Sequence, residues 1–171
     1  MLRMSKLADY GTVILVAMAR DPLVVHSAGS LASTTGIPLP TVAKVMKIVS
    51  RSGLVESMRG ASGGYLLKLP PRRITLAEVI VALDGPLGVT ECSVMPGRCQ
   101  QEPMCGARAN WQKVNRLVLE ALKQVSLADM AGPVLSEADL SAIRMRVRRR
   151  EDGTGALEQG KPTRAPREAR E

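Results

Sequence analysis

The sequence predicts a mainly α-helical protein with one small β-hairpin, and three observations lead to that fold class. Apolar residues recur at helical spacing in several segments, and a glycine-rich turn separates two short extended segments. Aromatic residues make up only 2% of the 171 residues, and Phe is absent. The core must therefore be built from Leu, Val, Ile, Met and Ala, which suit closely packed helices. The length allows one globular core with an added dimerisation element.

Three helices are predicted in the first part of the chain, each with its own start or stop signal. Helix one carries apolar residues at helical spacing from Leu7 to Met18. Serine side chains can cap the first two helices, a glycine can end the second in a left-handed conformation, and a proline suits the first turn of the third. In chain order these signals are Ser5, Arg20-Asp21-Pro22, Ser27, Gly36, Pro40 and Ser52-Gly53.

A hairpin is predicted directly after the third helix. The extended segments Leu54–Met58 and Tyr65–Leu69 flank the turn Arg59-Gly60-Ala61-Ser62-Gly63-Gly64. Helix, turn, helix and hairpin together form a winged helix-turn-helix domain over residues 1–73. The third helix is then the recognition helix and the hairpin is the wing.

The distribution of charge favours DNA as the partner of this domain. Residues 1–73 carry a formal charge of +7, residues 74–143 carry −3 and residues 144–171 carry +4, within a total of +8. Segregated positive charge fits a polyanion because bound phosphates release condensed counterions. On the third helix and the wing, the residues expected to contact bases or phosphates are Thr41, Lys44, Lys47, Arg51, Arg59 and Ser62.

The second part of the chain, residues 74–135, is predicted to hold a linker helix starting at Thr75, a cysteine loop and a long helix from about Asn110 to Ser126. Apolar residues repeat every three or four positions along the long helix, from Trp111 to Val125. This stripe needs a partner, and a self-complementary pair across a two-fold axis would make a homodimer. Packing against the chain's own domain is the alternative. Residues 136–171, basic and poor in apolar residues, are predicted to form a disordered tail.

Three cysteines, Cys92, Cys99 and Cys105, are the remaining chemical signal. No run is long and apolar enough to span a membrane and no export signal is evident, so we expect a cytoplasmic protein without a disulfide framework. Thiolates at this spacing suit an iron-sulfur cluster, zinc, or cluster-free thiol sensing. An enzyme is not expected, because a lone histidine and no paired carboxylates with a nucleophile leave no catalytic site to propose.

Three segments carry a family resemblance: the opening Met1 to Tyr10, the wing Val55 to Tyr65, and the cysteine loop before Trp111. Over roughly residues 1–135 the chain resembles the iron-sulfur winged-helix regulators, which include the Isc and Suf cluster-assembly repressors and the nitric-oxide-sensing repressor. The run Leu87 to Trp111 and the later Ser126 to Met130 are most similar to the Suf-system branch.

The resemblance implies a cofactor and a quaternary structure. It implies a homodimer that binds a palindromic promoter operator in double-stranded DNA. It also implies that Cys92, Cys99 and Cys105 hold an iron-sulfur cluster, of which a 2Fe-2S form is favoured over a 4Fe-4S form. The cysteine loop would lie near the partner's DNA-binding domain.

The fourth ligand departs from the Isc pattern. Where that pattern has a histidine three positions after the last cysteine, this chain has Arg108, and His26, its only histidine, lies far away in sequence. Asp9, supplied by the partner subunit, is the ligand implied by the nitric-oxide-sensing branch. Glu91, Glu102 or an exogenous small molecule are the alternatives.

These observations lead to one leading hypothesis and two rivals. The first is a repressor of iron-sulfur cluster assembly genes that binds DNA according to its cluster. A nitric oxide or redox-sensing repressor and a DNA-independent metal-binding protein are the alternatives. Ala43 stands where the Isc-type recognition helix has a base-reading glutamate, so we expect operators that differ from the Isc pattern.

Overall fold

The computed structural model describes residues 4–60 and 63–153, and over these it confirms a mainly helical protein with one hairpin. The helices among these residues are α1 (Lys6–Arg20), α2 (Ala28–Thr35), α3 (Leu39–Arg51), α4 (Leu76–Asp84), α5 (Glu91–Val94), α6 (Arg108–Lys123), α7 (Leu127–Ala131) and α8 (Glu137–Gly153). The hairpin strands are β1 (Val55–Met58) and β2 (Gly64–Leu67). Short 3₁₀ turns lie at Pro71–Arg73 and Glu102–Met104.

Local capping explains where the first two helices begin and end. The Ser5 hydroxyl accepts a hydrogen bond from the Ala8 backbone N–H at 3.1 Å, and the Ser27 hydroxyl accepts one from Ser30 at 3.0 Å. Gly36 follows α2 with φ 69°, in the left-handed region that favours glycine. These caps satisfy backbone groups that a helix leaves free at its ends, so the predicted starts of α1 and α2 are confirmed.

The wing is a two-stranded antiparallel sheet extended by one further residue. Val55 lies opposite Leu67, and Met58 lies opposite Gly64. His26, before α2, pairs with Tyr65 through backbone hydrogen bonds of 2.9 and 2.8 Å. A Cβ at Gly64 would lie 2.6 Å from the His26 carbonyl oxygen, so only glycine allows this close approach. The hairpin is thereby attached to the helical part of the domain.

The core is built around α1 and continues beyond the predicted domain boundary at residue 73. Ile14, Leu15 and Met18 of α1 are fully buried. α4 and α7 both pack against α1, and Leu127 of α7 is also fully buried. Residues 74–76 and 125–127 are joined by backbone hydrogen bonds, so the chain returns to the first core after α6. The second predicted segment therefore contributes helices to the same core.

The long helix α6 is present, and part of its apolar stripe is open. It ends at Lys123, so Val125 and Ser126 lie beyond it. Trp111, Val114 and Leu117 are each 41% exposed, which is high for side chains of this size. Packing among the described residues therefore leaves the first half of the stripe uncovered. Among the described residues, no helix is both long and apolar enough to cross a membrane.

The prediction of a disordered tail from residue 136 is wrong over its first part, where α8 forms. The Ser136 hydroxyl accepts a hydrogen bond from the Asp139 N–H at 3.2 Å, and the Asp139 carboxylate accepts one from the Ser136 N–H at 2.8 Å. This reciprocal cap starts the helix, and α8 packs against α6 with Val147 only 7% exposed. The prediction for residues 154–171 lies outside the described residues.

Candidate DNA interface and cysteine segment

Helix α3 has a buried face and a cationic face. Val42, Val45, Met46 and Val49 are fully buried, which fixes the rotation of the helix about its own axis. Lys44, Lys47 and Arg51 consequently lie exposed on the other side, Thr41 is half-buried, and Ala43 is exposed. Pro38, Leu39 and Pro40 at the start of α3 are also exposed, so no described part of this chain blocks its amino-terminal turn. This is the geometry of a helix able to enter a major groove.

The wing presents Arg59 at its tip. Arg59 is exposed directly after β1, and Gly60 follows with φ 112°, so the chain turns sharply there. The Gly63 N–H donates to the Gly60 carbonyl at 2.9 Å, and a Cβ at Gly63 would lie 2.8 Å from that oxygen. Glycine is required to close this turn. Ser62, the other predicted contact in the wing, lies outside the described residues.

The segment that holds α3 and the wing is almost entirely positive in its charged residues. Between residues 22 and 77 the chain has seven Lys or Arg residues and a single acid, Glu56. In the described part of the chain, the ion pairs are Glu102 with Arg108 and Glu120 with Lys123, so none involves α3 or the wing. The cations on these two elements are therefore available for phosphates.

The residues from Thr90 to Arg108, here called the cysteine segment, carry all three thiols. Cys92 lies on α5 and is 8% exposed, with its Sγ 3.3 Å from the Thr90 hydroxyl. Cys99 and Cys105 are half-buried, and all three thiols are free of disulfides. α5 packs against α6, and the N–H of Val89, just before the segment, donates to the side-chain oxygen Oδ1 of the buried Asn115 at 3.0 Å. The segment is thus attached to α6 by a polar contact as well as by packing.

An ion pair between the buried Glu102 and the half-exposed Arg108 braces the cysteine segment, and the sequence did not predict it. Glu102 is 7% exposed; its Oε1 lies 2.7 Å from Arg108 Nη2 and its Oε2 accepts the Gly97 N–H at 2.6 Å. Both carboxylate oxygens are therefore engaged, which disfavours Glu102 as a ligand. Glu91, the other acid of the segment, is exposed on α5. Arg108 stands where the Isc pattern has its histidine, and its buried Nε has no hydrogen-bond partner in the described part of the chain.

The three thiols have the chemistry that an iron-sulfur cluster requires. This structure does not bring them close enough together to hold one. Soft thiolates close together in the chain are the ligands that such clusters take. Among the described residues, however, no three His, Cys, Asp or Glu side chains are grouped closely enough to hold a metal ion. Asp9 lies exposed on α1, beside a groove of about 440 Å³ that Val13, Val16 and Met130 also line. Asp9 therefore lies on a different element from the three cysteines.

A buried helix-turn-helix core, a glycine-closed wing and an unpaired cationic face together define a winged helix-turn-helix regulator of the bacterial type. Residues 4–133 match the family model Rrf2, described as "Iron-dependent Transcriptional regulator". This match spans most of the chain, and the protein belongs to the Rrf2 family.

Individual relatives support the family and differ in what their names report. CymR of Bacillus subtilis is 29% identical over 135 residues, covering 76% of this chain and 90% of CymR. Its structure, described as that of the global cysteine regulator, superposes with a TM-score of 0.60 at 28% identity, covering 77% of this chain and 97% of CymR. The T. potens IscR structure superposes with a TM-score of 0.57 at 25% identity, covering 93% of this chain and 94% of that IscR chain.

A Neisseria meningitidis protein described as an HTH-type transcriptional regulator is 31% identical over 98 residues, or 57% of this chain and 66% of that relative. The aligned segment thus spans just under two thirds of the Neisseria protein. The named relatives are transcriptional regulators, and none is an enzyme.

Proposed function

We propose that this protein is a cytoplasmic, homodimeric repressor of iron-sulfur cluster assembly genes, and that a cluster held by Cys92, Cys99 and Cys105 controls its binding to a palindromic operator. The observation that carries the proposal is the cysteine segment itself. Its three free thiols lie on one short stretch, which the Glu102–Arg108 ion pair braces and which directly follows the contact of Val89 with Asn115 of α6. When bound, the cluster would supply a redox-labile centre that couples these thiolates to one another.

A continuous packing route connects this segment to the proposed DNA-binding surface. α5 packs on α6, α6 packs on α4, and α4 packs on α3. A change in the separation of the three thiols would therefore move α5 relative to α6 and bias the position of the recognition helix. Packed interiors transmit such displacements because they have few voids. A coupling of ~2 kcal/mol would change the affinity for DNA about thirtyfold.

The open stripe on α6 supports the homodimer. Trp111, Val114 and Leu117 form an apolar surface that a second copy of the same helix would cover. The dimer would present two recognition helices to two half-sites of a palindrome. The partner subunit is also the proposed source of Asp9 as the fourth ligand.

Anaerobic purification tests the cofactor. We expect iron and sulfide in the wild-type protein and their loss from a Cys92→Ser, Cys99→Ser, Cys105→Ser variant, while Ser93→Ala, in the same segment, keeps both. Binding of the protein to genomic promoter fragments, measured before and after cluster removal, then tests control by the cluster. DNA binding that is identical in the two states would contradict the proposal.

The fourth ligand has a separate test. Asp9→Ala is expected to shift the absorption spectrum of the loaded protein and to shorten the lifetime of the cluster in air. Its effect on folding should be small, since an exposed acid in the first turn of a helix contributes only ~0.3 to 1 kcal/mol. Asp21→Ala, at the other end of α1, is the matched control. An unchanged spectrum and an unchanged lifetime would remove Asp9 from the ligand set.

The DNA contacts are tested by Lys44→Ala and Arg59→Ala. Each variant should weaken binding to a promoter fragment, and each should make log K less steep in log salt by about 0.9 if it removes one phosphate contact. Lys113→Ala, an exposed lysine on α6, is the control and should leave both quantities unchanged. Wild-type affinity in all three variants would exclude this face of the protein as the DNA-binding surface.

A cluster-free thiol regulator is the second candidate, and one observation favours it. The described residues hold no assembled metal site, while the thiols are free and two of them are half-buried. Oxidation of a thiol pair would then change the cysteine segment directly. Anaerobically purified protein without iron or sulfide, combined with DNA binding that changes on treatment with peroxide, would support this function over the first.

A further inference from the structure

Helix α8 carries a dense group of arginines. Five arginines occur between Arg144 and Arg150, and no acid interrupts the chain from Asp139 to Glu151. The capping pair Ser136 and Asp139 starts the helix, and the buried Val147 lies where α8 packs against α6. These arginines are therefore presented by a folded helix, at a fixed place relative to the long helix of the second segment.

The arginines with described side chains are not neutralised within the described part of the chain. Arg144, Arg146, Arg148 and Arg149 are all exposed, and none forms an ion pair there. Asp139, the acid that precedes them on α8, is used in the helix cap.

Helix stabilisation does not account for this number of cations. One or two positive side chains in the last turn are sufficient to complement the helix dipole, each contributing ~0.3 to 1 kcal/mol. Mutual repulsion among five arginines opposes that gain. All five are arginine rather than lysine, and guanidinium groups bind phosphate oxygens in a bidentate manner.

We propose that the arginine group of α8 is a second DNA-binding surface, which contacts backbone phosphates without reading sequence. This inference rests on the proposed DNA binding by α3 and the wing. DNA is the favoured partner because the chain already binds this polyanion through another surface. A duplex that is bound by the recognition helix and extends to α8 would present its phosphates there at high effective concentration.

The test is a charge-removing variant with a charge-keeping control. R144Q/R146Q/R148Q/R149Q is compared with R144K/R146K/R148K/R149K and with the wild-type chain. Each protein is titrated against a fluorescent duplex of mixed sequence, about three helical turns long, over a series of salt concentrations. Far-UV circular dichroism and sedimentation check that helix content and oligomeric state are unchanged.

For the glutamine variant we expect weaker binding at low salt. The slope of log K against log salt should be less steep by about 0.9 for each phosphate that an arginine no longer neutralises. The lysine variant should keep most of the slope. Because no base is read, the glutamine substitutions should weaken binding to any duplex by the same factor.

Two failures are distinguishable. If the wild-type protein shows no salt-sensitive binding to any duplex, the proposed DNA-binding function fails. If the wild-type protein binds but the glutamine variant has the same affinity and the same salt slope, DNA binding stands and the role of α8 is overturned. Anionic vesicles containing phosphatidylserine form a third arm. Binding to vesicles that depends on the arginines, with unchanged DNA binding, would assign α8 to membrane surfaces instead.

Discussion

Glu102 is a buried carboxylate in which each oxygen has its own donor. Arg108 contacts Oε1 and the Gly97 N–H contacts Oε2, so one side chain joins the middle of the cysteine segment to the first turn of α6. In the chain, Cys99 lies between Gly97 and Glu102, and Cys105 lies between Glu102 and Arg108. Glu102 and its two donors therefore restrain the backbone on both sides of each of these cysteines.

Glu102→Gln tests this positioning role. The substitution keeps an acceptor for the Gly97 N–H but removes the ion pair, so unfolding should require less denaturant, with a loss of about 1 to 3 kcal/mol. Cys99 and Cys105 of the metal-free protein should also react faster with a maleimide, because the segment opens more often.

Glu91→Gln is the matched control, since Glu91 lies in the same segment but is exposed on α5. Both its stability and its thiol reactivity should equal those of the wild type. Equal maleimide rates for Glu102→Gln and Glu91→Gln would show that the ion pair does not position the cysteines.

At the scale of single elements, α8 depends on its amino-terminal cap. The Ser136 hydroxyl and the Ser136 backbone N–H both donate to the Asp139 carboxylate, and they hold the pKa of Asp139 below its usual value. A lowered pKa means that the ionised carboxylate is favoured in the folded helix. This contribution is complete above the ordinary Asp pKa of about 3.9 and is lost as the pH falls through the lower, folded value.

Ser136→Ala should remove the cap and loosen α8. Trypsin should then cleave more rapidly after the α8 arginines at neutral pH, because proteolysis samples the open form of the helix. The helical signal of the wild type should decline in acid over the titration of Asp139, and this part of the decline should be absent in the variant. Ser141→Ala, an exposed site within α8, is the control and should not accelerate cleavage. Equal cleavage of both variants would contradict the cap.

For the whole molecule, the open stripe of α6 determines the expected assembly. Leu117→Glu should shift the protein from dimer to monomer in sedimentation velocity, because a charge placed in an apolar contact loses its hydration. Binding to a palindromic duplex should weaken at the same time, since one recognition helix would act alone.

Val81→Glu controls for the introduction of a charge on an apolar surface. Val81, on α4, is 43% exposed, close to the 41% of Leu117, and lies outside the stripe. The Val81→Glu variant should remain dimeric. A wild-type protein that sediments as a monomer, or a Leu117→Glu variant that stays dimeric, would place the interface elsewhere.

The sequence by itself determined the elements whose causes are local. Ser5, Ser27 and Gly36 act within one turn of their own helices, and the spacing of Val42, Val45 and Val49 selects the buried face of α3. These signals therefore predicted α1 to α3, the wing and the exposed cationic face. α8 was missed, although its Ser136 to Asp139 cap is also local, because the density of arginines concealed the spacing of Leu140, Ile143 and Val147.

Only the tertiary structure decided how distant segments meet. Leu127 completes the core around α1, residues 74–76 pair with residues 125–127, and His26 adds a backbone pair to the wing. The same holds for Glu102, which the sequence suggested as an alternative ligand and which the fold places as a brace for Arg108. The reason is physical. A capping signal needs only its neighbours in the chain, whereas burial and ion pairing depend on which side chains the packing of other helices brings near.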